Sequence, residues 1–244
     1  MKLHKVMAIS GFDPSGGAGM LADIRTFLSC GAYGFGAMTA LTVQNEREFR
    51  GLQWVTTDQI KNQIDVVLDQ HEIGAVKIGV TRDQGVLSDL VGHVRTRIPH
   101  VILVWDPVFR TSSGFDFWNA IDVGRLAAVL DHVDVIMPNL MEYGRIWGKG
   151  KSLEGLDIDT NIVLKSFRMV DDIVYDRLLW EQQVHEIGSP VLVDADKHGT
   201  GCVLSAALTA HLAMGHDLLE SYLRAKELLN RFMKSSPSLL GHFN

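Results

Sequence analysis

The chain has 244 residues, 46% of them apolar, with a formal net charge of −6. That is enough apolar chain for one large α/β domain around a sizeable core, and the composition is not that of a disordered polypeptide. The 23 Lys and Arg residues never gather into a long basic run, which argues against a nucleic-acid partner, and two cysteines, Cys30 and Cys202, are too few for a secreted disulfide framework.

Residues 6–10 read as a first strand. Gly11-Phe12-Asp13-Pro14 cuts the apolar run there, so no signal peptide is expected. Residues 21–28 read as helix, 37–42 as strand, 57–71 as helix, 75–78 as strand and 83–97 as helix. Residues 101–105 are strongly strand-like, 120–130 helical, 133–137 a strand and 139–147 a short helix. Residues 148–155 read as a surface loop. After 162–165 the helices drop out, and 169–175, 182–185 and 190–193 look like short strands of an antiparallel meander at one edge. Helices over 202–214 and 218–234 close the chain. No apolar stretch of about 18 residues occurs, so no membrane span is expected and the expected location is cytoplasmic. The βαβα rhythm with nearly all-apolar strands predicts an α/β fold in which a mostly parallel sheet is covered on both faces. In such a sheet the site lies beyond the C-terminal strand ends. That directs attention to 11–19, 42–46, 77–80, 106–107, 138–142, 165 and 194–202.

The segment 11–19, Gly-Phe-Asp-Pro-Ser-Gly-Gly-Ala-Gly, joins the first strand to the first helix. Its four glycines free the backbone for tight bends and close approach to a ligand. Gly17-Ala18-Gly19-Met20-Leu21-Ala22 also matches a loose dinucleotide pattern. However, Asp13-Pro14 separates it from the strand, and no acid stands clearly at the ribose-binding offset. A ligand-free turn is the plain alternative to a pocket wall. Asp23 near the helix start fits either a dipole-complementing role or a functional one. Gln44 and Asn45 carry donors and acceptors suited to an amine-bearing heteroaromatic ring, or they belong to an ordinary turn.

Gly148-Lys149-Gly150-Lys151-Ser152 resembles the end of a phosphate-binding loop. Position 145 is Arg where that motif needs glycine, and no strand immediately precedes it. The sharper segment is His198-Gly199-Thr200-Gly201-Cys202, followed by small and apolar residues. Unpaired N–H groups at a helix start form an anion cradle of the kind phosphoryl transfer needs. Cys202 in the first turn is expected to have a lowered thiol pKa there; a packing cysteine is the alternative.

These segments, together with Thr39-Ala40-Leu41-Thr42-Val43-Gln44-Asn45, Asp106-Pro107-Val108 and Pro138-Asn139-Leu140-Met141-Glu142, resemble the hydroxymethylpyrimidine/phosphomethylpyrimidine kinases of thiamine biosynthesis, within the ribokinase-like superfamily. The resemblance runs from the first strand to the last helix. It implies a single domain over 1–244 built as a ribokinase-like three-layer sandwich, ATP and Mg2+ as cofactors, a small pyrimidine as substrate, and a homodimer. It further implies that Gly11, Asp13, Gln44, Val80 and Val108 contact the pyrimidine. Asp106, Asn139 and Glu142 would face the nucleotide, with Glu142 on the metal. Lys165 would supply a cation to the phosphates, Gly199, Thr200 and Gly201 the anion hole, Cys202 the catalytic base, and Asp23 a link to the reacting centre.

Two segments depart from the family pattern. Lys165-Ser166-Phe167-Arg168 stands in place of Lys-Gly-Gly-His, and Asp194-Ala195-Asp196-Lys197-His198 in place of Thr-Lys-Asn-Thr-His. Both fall where adenosine and its phosphates would be held. The altered segment at 165–168 makes a catalytically silent pyrimidine-binding protein one rival reading, and a pyridoxal or pyridoxine kinase is the other, because that ring also carries a hydroxymethyl group.

Overall fold

The computed structural model describes residues 3–111, 114–192 and 196–243. The strand expected over 190–193 reaches past Pro190 into Val193, and the departure at 194–198 includes Asp194 and Ala195; those three residues lie outside the described ones.

In chain order the elements are β1 (Lys5–Phe12), α1 (Gly19–Ser29), β2 (Tyr33–Gln44), β3 (Phe49–Trp54), α2 (Thr57–Leu68), β4 (Ala75–Ile78), α3 (Gln84–Arg97), β5 (Ile102–Trp105), α4 (Val123–Leu130), β6 (Val135–Ile136), α5 (Leu140–Trp147), β7 (Asn161–Val170), β8 (Ile173–Trp180), β9 (Gln183–Pro190), α6 (Thr200–Ala213) and α7 (Leu218–Met233). The strands form one sheet in the order β3-β2-β1-β4-β5-β6-β7-β8-β9. β2, β1, β4, β5, β6 and β7 run parallel. The architecture is ribokinase-like α/β, a mostly parallel sheet flanked by helices.

The inner strands are apolar because both of their faces are covered. On one face Ile9, Ile78 and Trp105 pack against α2, α3, α4 and α5. On the other, Val104, Val135 and Val163 meet α6 and α7, and Val6, Ala8 and Ala75 meet α1 and α6. α6 buries Val203 to Ala210 almost without interruption. A helix apolar all round is one that lies inside the molecule, and its N-terminus therefore reaches the centre of the sheet's C-terminal edge. Local capping starts the neighbouring helices: Thr56 with Gln59 for α2, Asp83 for α3, and Asn139 with Glu142 for α5.

The meander expected at one edge has a counterpart at the other. β3 pairs antiparallel with β2, and the sequence reading left Phe49–Trp54 without an element. Arg50, Gly51 and Gln53 interrupt its apolar pattern, and an edge strand does not need both faces apolar. The segment 169–175 is not one strand. It straddles a two-residue turn at Asp171 (φ 49°) and Asp172 (φ 58°), and Glu181 (φ 51°) and Gln182 (φ 60°) make the next one. Positive φ at both central residues matches the strand twist in tight hairpins. Neither turn carries the glycine that would have marked it in sequence.

Candidate active site

The loop after β1 folds around Asp13. Its carboxylate accepts hydrogen bonds from the Ser15 N–H (2.9 Å), the Ser15 hydroxyl (2.9 Å) and the Ala18 N–H (3.0 Å), and it meets His198 Nε2 at 2.8 Å. Burial works against that charge, but the His198 and Ser15 hydrogen bonds outweigh it and hold the carboxyl below the usual aspartate range. Asp13, which the resemblance implies as a pyrimidine contact, has these partners in place of the open cavity. It is 1% exposed, it stands off the cavity wall, and its oxygens are engaged in binding this loop to the start of α6.

That loop and the helix start interlock through two glycines. Gly199, the N-cap of α6, has φ +77°, and a Cβ there would lie 2.0 Å from the Gly17 carbonyl oxygen. Gly19 has φ +60°, with the Gly11 carbonyl oxygen 2.3 Å from where its Cβ would be. Only glycine meets both the backbone conformation and the approach. α6 begins with no side-chain cap and no acid in its first turn, so its leading N–H groups face the cavity without a carboxylate of their own.

A cavity of about 690 Å³ spans the C-terminal edge of the sheet. Gly11 in β1 and Gln44 at the end of β2 form part of its wall, with Val80 and Val108, which follow β4 and β5. Asp106, Asn139, Glu142 and Lys165 line the β5–β7 end, and residues 199–202 lie on the wall with them. Thus the residues to which the resemblance gives roles, apart from Asp13 and Asp23, line one space, whereas Asn45 beside Gln44 does not. The lining stops at Lys165: Ser166, Phe167 and Arg168 turn into the β7–β8 hairpin. Ser166 takes φ 50° and its N–H donates to Asp176 (2.5 Å), Phe167 packs against the apolar core with the Arg177 guanidinium 4.3 Å from its ring centre, and Arg168 sits 4.3 Å from the centre of the Tyr175 ring.

Along the cavity wall, and behind it at Asp23, runs a chain of buried charges drawn from distant parts of the sequence. Asp23 does not cap α1. It is fully buried, ion-paired with Lys77, and accepts a hydrogen bond from Ser10 Oγ at 2.8 Å. Lys77 Nζ also lies 3.9 Å from Asp106, whose other oxygen accepts from Lys165 Nζ at 2.7 Å. Ser205 Oγ donates to Asp106 at 2.8 Å. Burial opposes the Lys77 ammonium, but the Asp23 carboxylate in contact with it prevails and holds its pKa above the usual lysine range. Burial also opposes Asp106, and Lys165 and Lys77 together hold that carboxyl below its ordinary value. A single lysine in the otherwise apolar strand Ala75–Ile78 was the available signal for Lys77. A buried lysine needs a partner.

Glu142 and Asn139 exchange hydrogen bonds as the capping box of α5. Asn139 N–H donates to Glu142 Oε2 (2.8 Å) and Glu142 N–H to Asn139 Oδ1 (2.9 Å). The Asn-x-x-Glu spacing is the sequence signature of such a box. Burial pushes the Glu142 carboxyl up to about 7, with Lys165 pulling the other way. Among the described residues no three His, Cys, Asp or Glu side chains cluster to hold a metal.

Cys202 reverses the expectation of a thiol acidified by its helix. Burial pushes it up to about 11, against the Lys77 ammonium and with Asp23 and Asp106 adding to the rise. The field of a helix N-terminus is the weaker influence once the thiol is enclosed and two carboxylates stand near it.

The profile of the phosphomethylpyrimidine kinase family matches residues 13–243. The hydroxymethylpyrimidine/phosphomethylpyrimidine kinase of Aquifex aeolicus is 30% identical over 96% of this chain and 95% of its own length. A thiamine biosynthesis multifunctional protein of Corynebacterium efficiens is 28% identical over 96% of this chain, which spans only 33% of that longer protein. Among solved structures, the ADP complex of Bacillus subtilis pyridoxal kinase superposes with a TM-score of 0.81 at 25% identity, covering 96% of this chain and 93% of that one. No helix among the described residues is long and apolar enough to cross a membrane.

Proposed function

The chain belongs to the phosphomethylpyrimidine kinase family, and from that premise we propose that it moves the γ-phosphoryl group of ATP onto the hydroxymethyl oxygen of 4-amino-5-hydroxymethyl-2-methylpyrimidine, then onto the resulting monophosphate to give the diphosphate. What supports this reading above all is that one cavity joins the wall containing Gln44 and Val80 to the uncapped N-terminus of α6 and to Lys165.

The ring rests between Gly11, Val80 and Val108, with the Gln44 amide available to its amine and ring nitrogens. The thiolate form of Cys202, a minor form at neutral pH because burial pushes the thiol up to about 11, takes the proton of the attacking hydroxyl as the new O–P bond forms, and ADP leaves with the electrons of the broken bond. The N–H groups of residues 200–202 stabilise the charge that spreads over the transferring group. Lys165, which Asp106 holds in place, neutralises charge on the nucleotide. The buried Glu142 carboxyl loses stability on ionising without a cation, so it suits a magnesium ion that arrives with the nucleotide. Such an ion supplies Lewis-acid neutralisation of the phosphates, with Glu142 as its protein ligand. The catalytic unit spans the whole chain as one domain, and two copies pair as a homodimer. Sedimentation showing only a 27.0 kDa species at micromolar concentration would refute the pairing.

A coupled assay with the pyrimidine alcohol and its monophosphate tests the reaction. Turnover of neither, by protein shown to be folded, removes the proposal. The likeness to a solved pyridoxal kinase supports a second reading, in which a B6 vitamer takes the ring site. Competition between pyridoxal and the pyrimidine alcohol for turnover separates the two.

A further inference from the structure

Lys77, Lys165 and Lys197 line the cavity, and the first two are matched by carboxylates. Lys197 is not. It is 8% exposed, and its ammonium donates to two backbone carbonyls, Ser236 at 2.7 Å and Asp196 at 3.5 Å. Among the described residues no carboxylate lies within 4.0 Å of it. A lysine has three donors, so one remains for a ligand. Carbonyl dipoles satisfy hydrogen bonds but do not cancel a full charge, so an anionic oxygen is the complementary partner for the remaining donor.

Two neighbouring features point the same way. Lys197 stands two residues before Gly199, on the approach to the uncapped α6 N-terminus, whose N–H groups favour negative charge. The nearby acid, Asp13, is closed off by His198 at 2.8 Å and by Ser15 and Ala18, and so does not serve as the missing partner. We propose that Lys197 is a phosphate-binding residue of this cavity, its free N–H directed at an oxygen of a phosphate monoester or phosphoanhydride held at the start of α6. The proposal rests on the kinase reading for the source of that phosphate, either the nucleotide or the phosphorylated pyrimidine.

Titration calorimetry on the full chain tests it, with three probes: ADP, the pyrimidine monophosphate and the unphosphorylated pyrimidine alcohol. Loss of one charge-assisted contact weakens a phosphate ligand by about tenfold or more, so Lys197→Met should do that to ADP, to the monophosphate, or to both, and flatten the salt dependence of the affected ligand. The probe that weakens identifies the phosphate. Binding of the alcohol should stay unchanged, and Lys197→Arg should restore the phosphate ligand. Lys197 also ties down the Ser236 carbonyl, so a purely structural role would lower the melting temperature and weaken all three probes together. That pattern, or unchanged affinity for both phosphates, overturns the proposal. If the Met variant does not fold, Lys197→Gln, whose amide still donates, is judged by the same criteria. Absence of turnover with Lys197-dependent ADP binding would remove the kinase reading and leave this inference standing.

Discussion

Replacing Glu142 by glutamine should stabilise the protein at neutral and higher pH, and not at acid pH. Its carboxyl is pushed from 4.5 up to about 7 by burial. Between those values the folded protein keeps a proton that the unfolded chain gives up. Stability from this group is therefore fully present below the ordinary glutamate value, falls as pH rises through the window, and is flat above it. A separation of about 2.5 units corresponds to about 3 kcal/mol. Glutamine stays neutral throughout, and its side-chain oxygen can still accept the Asn139 N–H of the capping box. For a chain of this size about 3 kcal/mol is roughly 6–12 °C in melting temperature. Calorimetry without nucleotide, stepped from pH 5 to pH 8, should show the variant's advantage opening across the range. A constant advantage, or none at pH 8, would refute the reasoning. The same substitution should weaken the response of activity to magnesium, since the carboxylate that would meet the ion is gone.

Cys202→Ala and Cys202→Ser should fold but turn over about 10²- to 10⁴-fold more slowly if Cys202 is the base. Because the thiol stands at about 11, turnover of the parent protein should climb about tenfold per pH unit between 7 and 9. Near-parental rates in both variants would take Cys202 out of the chemistry and leave positioning to do the work. Lys77→Met strands the fully buried Asp23 and should cost about 3–5 kcal/mol, most of it recovered in the double variant with Asp23→Asn. Denaturant melts measure this, and a single variant as stable as the parent would contradict it. Gly199→Ala should destabilise the fold and abolish transfer, because its Cβ would fall 2.0 Å from the Gly17 oxygen at positive φ. Gly201→Ala, whose Cβ meets Lys165 Nζ only at 3.8 Å, should melt close to the parent, and equal losses in the two would refute the packing argument.

Local chemistry alone made much of this molecule readable. β4 matches its expected bounds, 75–78, because four apolar-flanked residues in a covered sheet leave no competing periodicity. The helices over 84–97 and 218–233 were legible from their periodic apolar faces. Gly19 and Gly199 announced tight turns because their positive φ and close backbone approach leave no room for a side chain. What lay beyond reach were the pairings. Asp23 meets Lys77 from 54 positions away, Asp106 meets Lys165 from 59, and Asp13 meets His198 from 185. A carboxylate near a helix start looks the same in sequence whether it faces water or a buried ammonium. Hence Asp23 read as ambiguous from its local sequence. Cys202 shows the same division: its place in a first helical turn is local and was read correctly, but its ionisation depends on the enclosure and on the three buried charges packed around it, which only the tertiary structure brings together. Sequence carries short-range geometry directly, whereas solvation and long-range charge arise only when distant segments pack against one another.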